Sequence, residues 1–207
     1  MDQKLLIVLI VAIFIVNLGF HIFQKNKQND LLNRLSECLA KKRFDEFDEL
    51  IDSKQARRSF PVYNRNFLKL NKAFLLEDKK EIAEAFDSFK GLPMNAVQKE
   101  ALYEKAFYYY LSLKDKENTR AYYDLLKDLN VKDQEMLDVM YDTYILDGYR
   151  YLDQIEKQCH EADDTEKIGY CALLADMYCN KGDQNKVKEY EDLLKQLSEN
   201  LKNKEAV

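Results

Sequence analysis

The sequence predicts an all-α chain, an N-terminal transmembrane helix followed by a stack of about five helical hairpins, and three observations predict it. Leu5 to Phe23 (LLIVLIVAIFIVNLGFHIF) is an almost uncharged stretch of about 19 residues, the helix length that crosses a bilayer core. From Leu31 onward apolar residues recur at three- and four-residue intervals, as one buried helix face requires. Only five glycines and two prolines interrupt 207 residues, and no run of alternating Val, Ile and Thr suggests a strand.

The first element reads as an uncleaved anchor over 5–23, after a short tail over 1–4. A cleaved secretory signal has a more basic start, a shorter apolar run and a small-x-small exit. Here Lys4 is the only basic residue before the run, and the chain leaves it as Asn17-Leu18-Gly19-Phe20-His21. Lys25, Lys27, Arg34, Lys41, Lys42 and Arg43 follow the span. Because basic residues are retained on the cytoplasmic side, this bias predicts a single-pass protein of the cell membrane with a cytoplasmic C-terminal domain.

A linker over 24–29 then leads to a repeat domain over 30–201 and a tail over 202–207. Breaks in the apolar pattern fall near Arg43, Asp78, Lys114, Gly148 and Gly182, at intervals close to the roughly 34 residues of helix–turn–helix repeats. The predicted first helices are Asp30–Lys41, Tyr63–Leu76, Ala96–Leu113, Asp133–Leu146 and Thr165–Asn180. The second helices are Phe44–Lys54, Lys79–Phe89, Lys116–Leu129, Tyr149–His160 and Gln184–Leu201. Gly91-Leu92-Pro93 is a helix stop.

Residues four, seven, eight and eleven before each break share one face of a 3.6-residue helix. They include Tyr178, Ala175, Leu174 and Cys171 in the fifth hairpin and Tyr110, Phe107, Ala106 and Tyr103 in the third. Across all five hairpins only Asn71 and Ser36 at these positions are clearly polar. With 14 Tyr and 11 Phe, most rings are expected between helices, with phenols at a polar rim. Tyr108-Tyr109-Tyr110 reads as core plus rim.

The segment Leu174-Ala175-Asp176-Met177-Tyr178-Cys179-Asn180-Lys181-Gly182-Asp183 resembles the tetratricopeptide repeat (TPR) family, which places Leu, a small residue, Tyr and a turn Gly at these spacings. Val187, Tyr190 and Leu194 then stand near the second-helix packing positions. There is no Trp, the fourth hairpin lacks the small residue, and Asp48 and Asp153 stand where the family prefers Ala. The resemblance implies a right-handed α-solenoid that binds a protein or peptide on a concave face built from the first helices. On that frame the groove residues are Asn33, Glu37, Leu68, Lys72, Glu104, Tyr108, Asp138, Asp142 and Asp176, with Ala172 beside them. Its later part is acidic and would attract a basic partner segment.

Net charge is −5, which leaves no basic stripe for nucleic acid. Four cysteines, Cys38, Cys159, Cys171 and Cys179, are too scattered for a disulfide framework in a chain of this length. Glycine-rich phosphate loops and nucleophile motifs are absent, and no cofactor is expected. The expected function is therefore that of a non-enzymatic, membrane-tethered scaffold or adaptor. Two alternatives stand beside it. One is an extracytoplasmic chaperone-like or surface repeat protein. The other is a metal- or thiol-dependent enzyme using Cys159, His160, Cys171 and Cys179.

Overall fold

The computed structural model describes residues 25–205, with side chains as far as Leu201. The expected anchor over 5–23, the tail over 1–4 and the last two residues lie outside the described residues. Among the described residues every regular element is a helix, and no helix is long and apolar enough to cross a membrane.

Eleven helices follow one another: α1 over 25–40, α2 Phe44–Ile51, α3 Lys54–Ser59, α4 Val62–Leu76, α5 Lys79–Asp87, α6 Ala96–Ser112, α7 Lys116–Leu129, α8 Gln134–Ile145, α9 Leu152–Glu161, α10 Asp164–Lys181 and α11 Gln184–Glu205. Two differences from the sequence reading stand out. Residues 25–29, expected as linker, are helical and belong to α1, where Gln28 Nε2 donates to Ser59 O at 3.0 Å. The second helix expected over Phe44–Lys54 stops at Ile51 and a separate helix begins at Lys54, because the Ser53 hydroxyl accepts from Ala56 N at 3.1 Å and starts a new helical turn.

The turns share one device. Lys42, Glu77, Lys114, Asp147 and Gly182, each just after a first helix, all lie in the left-handed region, with φ of 54°, 56°, 57°, 51° and 84°. A left-handed residue ends the helix and turns the chain back. In three of the five an Asp follows and caps the next helix. Asp78 Oδ1 accepts from Lys80 N at 2.8 Å, Asp115 Oδ1 from Asn118 N at 3.1 Å, and Asp183 Oδ1 from Lys186 N at 3.2 Å.

The chain divides between Met94 and Asn95 into two compact units. In unit 1, Leu31, Leu35 and Cys38 of α1 bury against Phe47 and Ile51 of α2, Ala56 of α3 and Phe60. The α4–α5 pair closes on rings, Tyr63 edge-on to Phe89 and Phe74 edge-on to Phe86. In unit 2, Phe107, Leu126, Val131 and Leu137 join α6, α7 and α8. A larger cluster gathers α8, α9 and α11 around α10, which buries Cys171, Leu173, Leu174, Ala175, Met177 and Tyr178. A helix apolar on so many sides must be enclosed.

Candidate functional site

A cleft of about 550 Å³ opens in unit 2 between α6, α8 and α10. Its apolar floor is Leu111 of α6 with Met140 and Ile145 of α8, and Tyr108, which is 43% exposed, stands at its mouth. Hydrogen bonds fix the walls. Tyr144 OH donates to Asp176 Oδ2 at 2.8 Å across α8 and α10. Asn180 Nδ2 donates to Thr143 O at 2.9 Å and to Gly148 O at 3.0 Å. Lys116 Nζ donates to Ile145 O at 3.2 Å and pairs with Asp147 Oδ2 at 3.1 Å, joining α7 to the end of α8. Apolar lining with a few fixed polar groups is the usual composition of a binding cleft.

The left-handed residues explain which side chains face it. Two and three positions before them lie Ser112 and Leu111, Ile145 and Tyr144, and Asn180 and Cys179, and all six line the cleft. Three successive first helices therefore present the same face to one opening. None of these six is among the groove residues of the sequence frame. The signal for them is the turn register rather than the residue types.

The structure scatters the nine groove residues. Tyr108 and Asp176 line the cleft. Glu104, one turn before Tyr108, is partly buried, and burial, then the like charges of Glu100 and Asp133, raises its carboxyl above the ordinary value. Burial, then Glu104, also raises the Tyr108 phenol. Asp138 and Asp142 instead line a second, more polar cleft of about 570 Å³ with Arg120, Lys127 and Arg150. There Asp138 Oδ1 accepts from Tyr123 OH at 2.8 Å and Gln134 Nε2 at 2.7 Å. Asp142 is buried and holds the α8–α9 turn: its carbonyl accepts from Gly148 N at 2.8 Å and its Oδ2 from Arg150 N at 3.0 Å. In unit 1, Asn33 and Glu37 are exposed on α1, and Glu37 pairs with Lys41 at 2.7 Å. Lys72 Nζ pairs with Asp48 Oδ2 at 2.7 Å, and Leu68 lines a separate cleft.

Asp142 and Asp138 stand six and ten residues before the fourth break set at Gly148, whereas the left-handed residue is Asp147. Counted from Asp147, the same positions are Tyr141, which lines the more polar cleft, and Leu137, which is buried, so the corrected count does not reach the first cleft either.

The cysteines divide the same way. Cys159 and Cys171 approach to 3.9 Å between α9 and α10 inside the core, while Cys179 is exposed in the cleft. Burial, then the neighbouring Cys159, pushes the Cys171 thiol up to about 12. His160 points to solvent. Among the described residues no group of three or more His, Cys, Asp or Glu is arranged to hold a metal.

Glu156 joins three helices of unit 2. Its Oε1 accepts from Tyr178 OH at 2.5 Å and from Tyr190 OH at 2.9 Å, binding α9 to α10 and α11. The Tyr178 bond first, with help from Tyr190, holds its carboxyl below the ordinary range. No family model, curated protein or solved structure matches the chain.

Proposed function

We propose that the chain is a membrane-tethered, TPR-like adaptor whose unit 2 holds a segment of a partner protein in the cleft between α6, α8 and α10. The observation that carries this reading is the cleft itself, since three helices turn equivalent positions to one opening about 550 Å³ in size. Its mouth offers exposed Tyr108, a ring type enriched where proteins meet proteins.

Charge supports a basic partner segment. Residues 95–207 carry 16 Lys and Arg against 24 Asp and Glu, a net −8. The raised Glu104 carboxyl marks a place where an added cation is favourable, because burial and Glu100 and Asp133 all oppose its ionisation. Steering of this kind speeds association more than it deepens affinity. Tethering through Leu5–Phe23, with the repeat domain on the cytoplasmic side, would confine the cleft near membrane partners and raise their effective concentration.

A photoreactive phenylalanine at position 108 tests the reading, compared with the same group at position 97, where Val97 is 73% exposed and away from the cleft. A defined product from position 108, lost on Tyr144→Asp and absent from position 97, is the expected result. Equal products from both positions reject the cleft as the binding surface.

A further inference from the structure

Unit 1 carries its own cleft, about 410 Å³, and its lining includes Lys25, which follows the apolar segment 5–23 closely in sequence. Lys25, Gln28, Asn29 and Leu32 of α1 form one wall, and Phe60, Tyr63, Asn64, Phe67 and Leu68 around the start of α4 form the other. Leu32 is 40% exposed there and Val62, at the first position of α4, is 47% exposed. The Gln28–Ser59 hydrogen bond closes α1 onto the end of α3.

Lys54 and Arg58 lie four apart on α3, hence on one helix face, and both are exposed. Neither they nor Lys25 have an ion-pair partner among the described residues. The opening amides of α4 follow Pro61, which supplies no side-chain cap, so the positive end of that helix adds to the same face. Unit 1 is also the basic part of the chain. Residues 25–94 hold 15 Lys and Arg against 12 Asp and Glu, a net +3, beside the net −8 of the rest.

A half-exposed apolar cleft lined by Lys25, a net basic unit with exposed Lys54 and Arg58, and an apolar segment of spanning length just before it in the sequence together match the chemistry of a phospholipid surface with negative headgroups, where each Lys or Arg adds to attraction. We infer that this face of unit 1 rests on the membrane, with the cleft and Lys25 holding anionic phospholipid headgroups. The inference rests on the anchor reading given under the proposed function. It adds that unit 1 lies on the bilayer. If α1 instead stood upright as a rod above a span, Leu32 would sit seven residues beyond Lys25, roughly 10 Å farther out.

The chain contains no Trp, so Leu32→Trp supplies a single optical probe at the cleft, and Lys79→Trp supplies one at the opposite end of α4, roughly 20 Å away along the helix. Each full-length variant is reconstituted into vesicles of neutral phosphatidylcholine, with and without phosphatidylserine, containing brominated lipid. The expected result is quenched, blue-shifted emission from position 32 and not from position 79, stronger with phosphatidylserine. Lys25→Gln then reduces the contact by about fivefold, and salt weakens it. Unquenched position 32 in a chain that resists alkaline carbonate overturns the inference and leaves the anchor standing. Quenching at neutral pH in a chain that carbonate strips from the vesicles supports the surface contact while overturning the anchor. Should Leu32→Trp unfold, hydrogen exchange of the wild-type chain decides: slower exchange over 28–32 and 60–68 with phosphatidylserine supports the contact, and no change overturns it.

Discussion

Asp142 shows how one residue can be taken from a surface role into a structural one. A Cβ added at Gly148 would stand 2.5 Å from Asp142 Oδ2, so the glycine is required by the carboxylate beside it. Gly148→Ala is expected to lose about 1–3 kcal/mol from overpacking, read as a lower urea midpoint. Asp142→Ala is expected to cost about the same by leaving the Arg150 amide without its acceptor. Glu156 sets a pH dependence of known sign. Its folded-state value is depressed, so its contribution is complete above the unfolded carboxyl value of 4.5 and fades as pH falls from there through the folded value. Glu156→Gln should cost about 2 kcal/mol at neutral pH and flatten the acid limb of the stability curve relative to wild type. The cysteines give a third expectation, because thiolates react and buried thiols do not. Under native conditions N-ethylmaleimide should add to Cys179 alone, and mass spectrometry should find four adducts after denaturation.

At the scale of elements, the repeat is written in its turns. Helices are legible because a 3.6-residue apolar period survives in each segment and because Asp78, Asp115 and Asp183 are good starts for a helix. The left-handed residues were less legible, since Lys42, Glu77, Lys114 and Asp147 are not the glycine that such a conformation favours. All four are exposed. Glu77 is exposed at the end of α4, so Glu77→Gly should relieve backbone strain without removing a contact and raise stability by about 1 kcal/mol. Calorimetry would register that as a Tm several degrees higher, and an unchanged or lower Tm would show that the left-handed turn carries no strain. Ser53 was the other missed signal: its side chain starts α3 inside what the apolar period read as one helix.

The whole chain is two units of opposite charge balance, and that asymmetry is what the functional proposals divide between them. The basic unit adjoins the apolar segment, and the acidic one carries the larger apolar-floored cleft. If unit 2 lies on the cytoplasmic side as proposed, a membrane-impermeant maleimide should leave Cys179 unlabelled in intact cells and label it after lysis. Labelling in intact cells would place the unit outside and favour the extracytoplasmic reading. By itself the sequence determined that the described chain is all α-helix and nearly every helix boundary to within a few residues, because periodicity, caps and turns are local. Only the tertiary structure decided which residues share a cleft. A side chain's wall depends on helix rotation, where one residue counts for about 100°, and on partners outside its own helix, as Tyr123 of α7 shows by donating to Asp138 and the Arg150 amide by donating to Asp142.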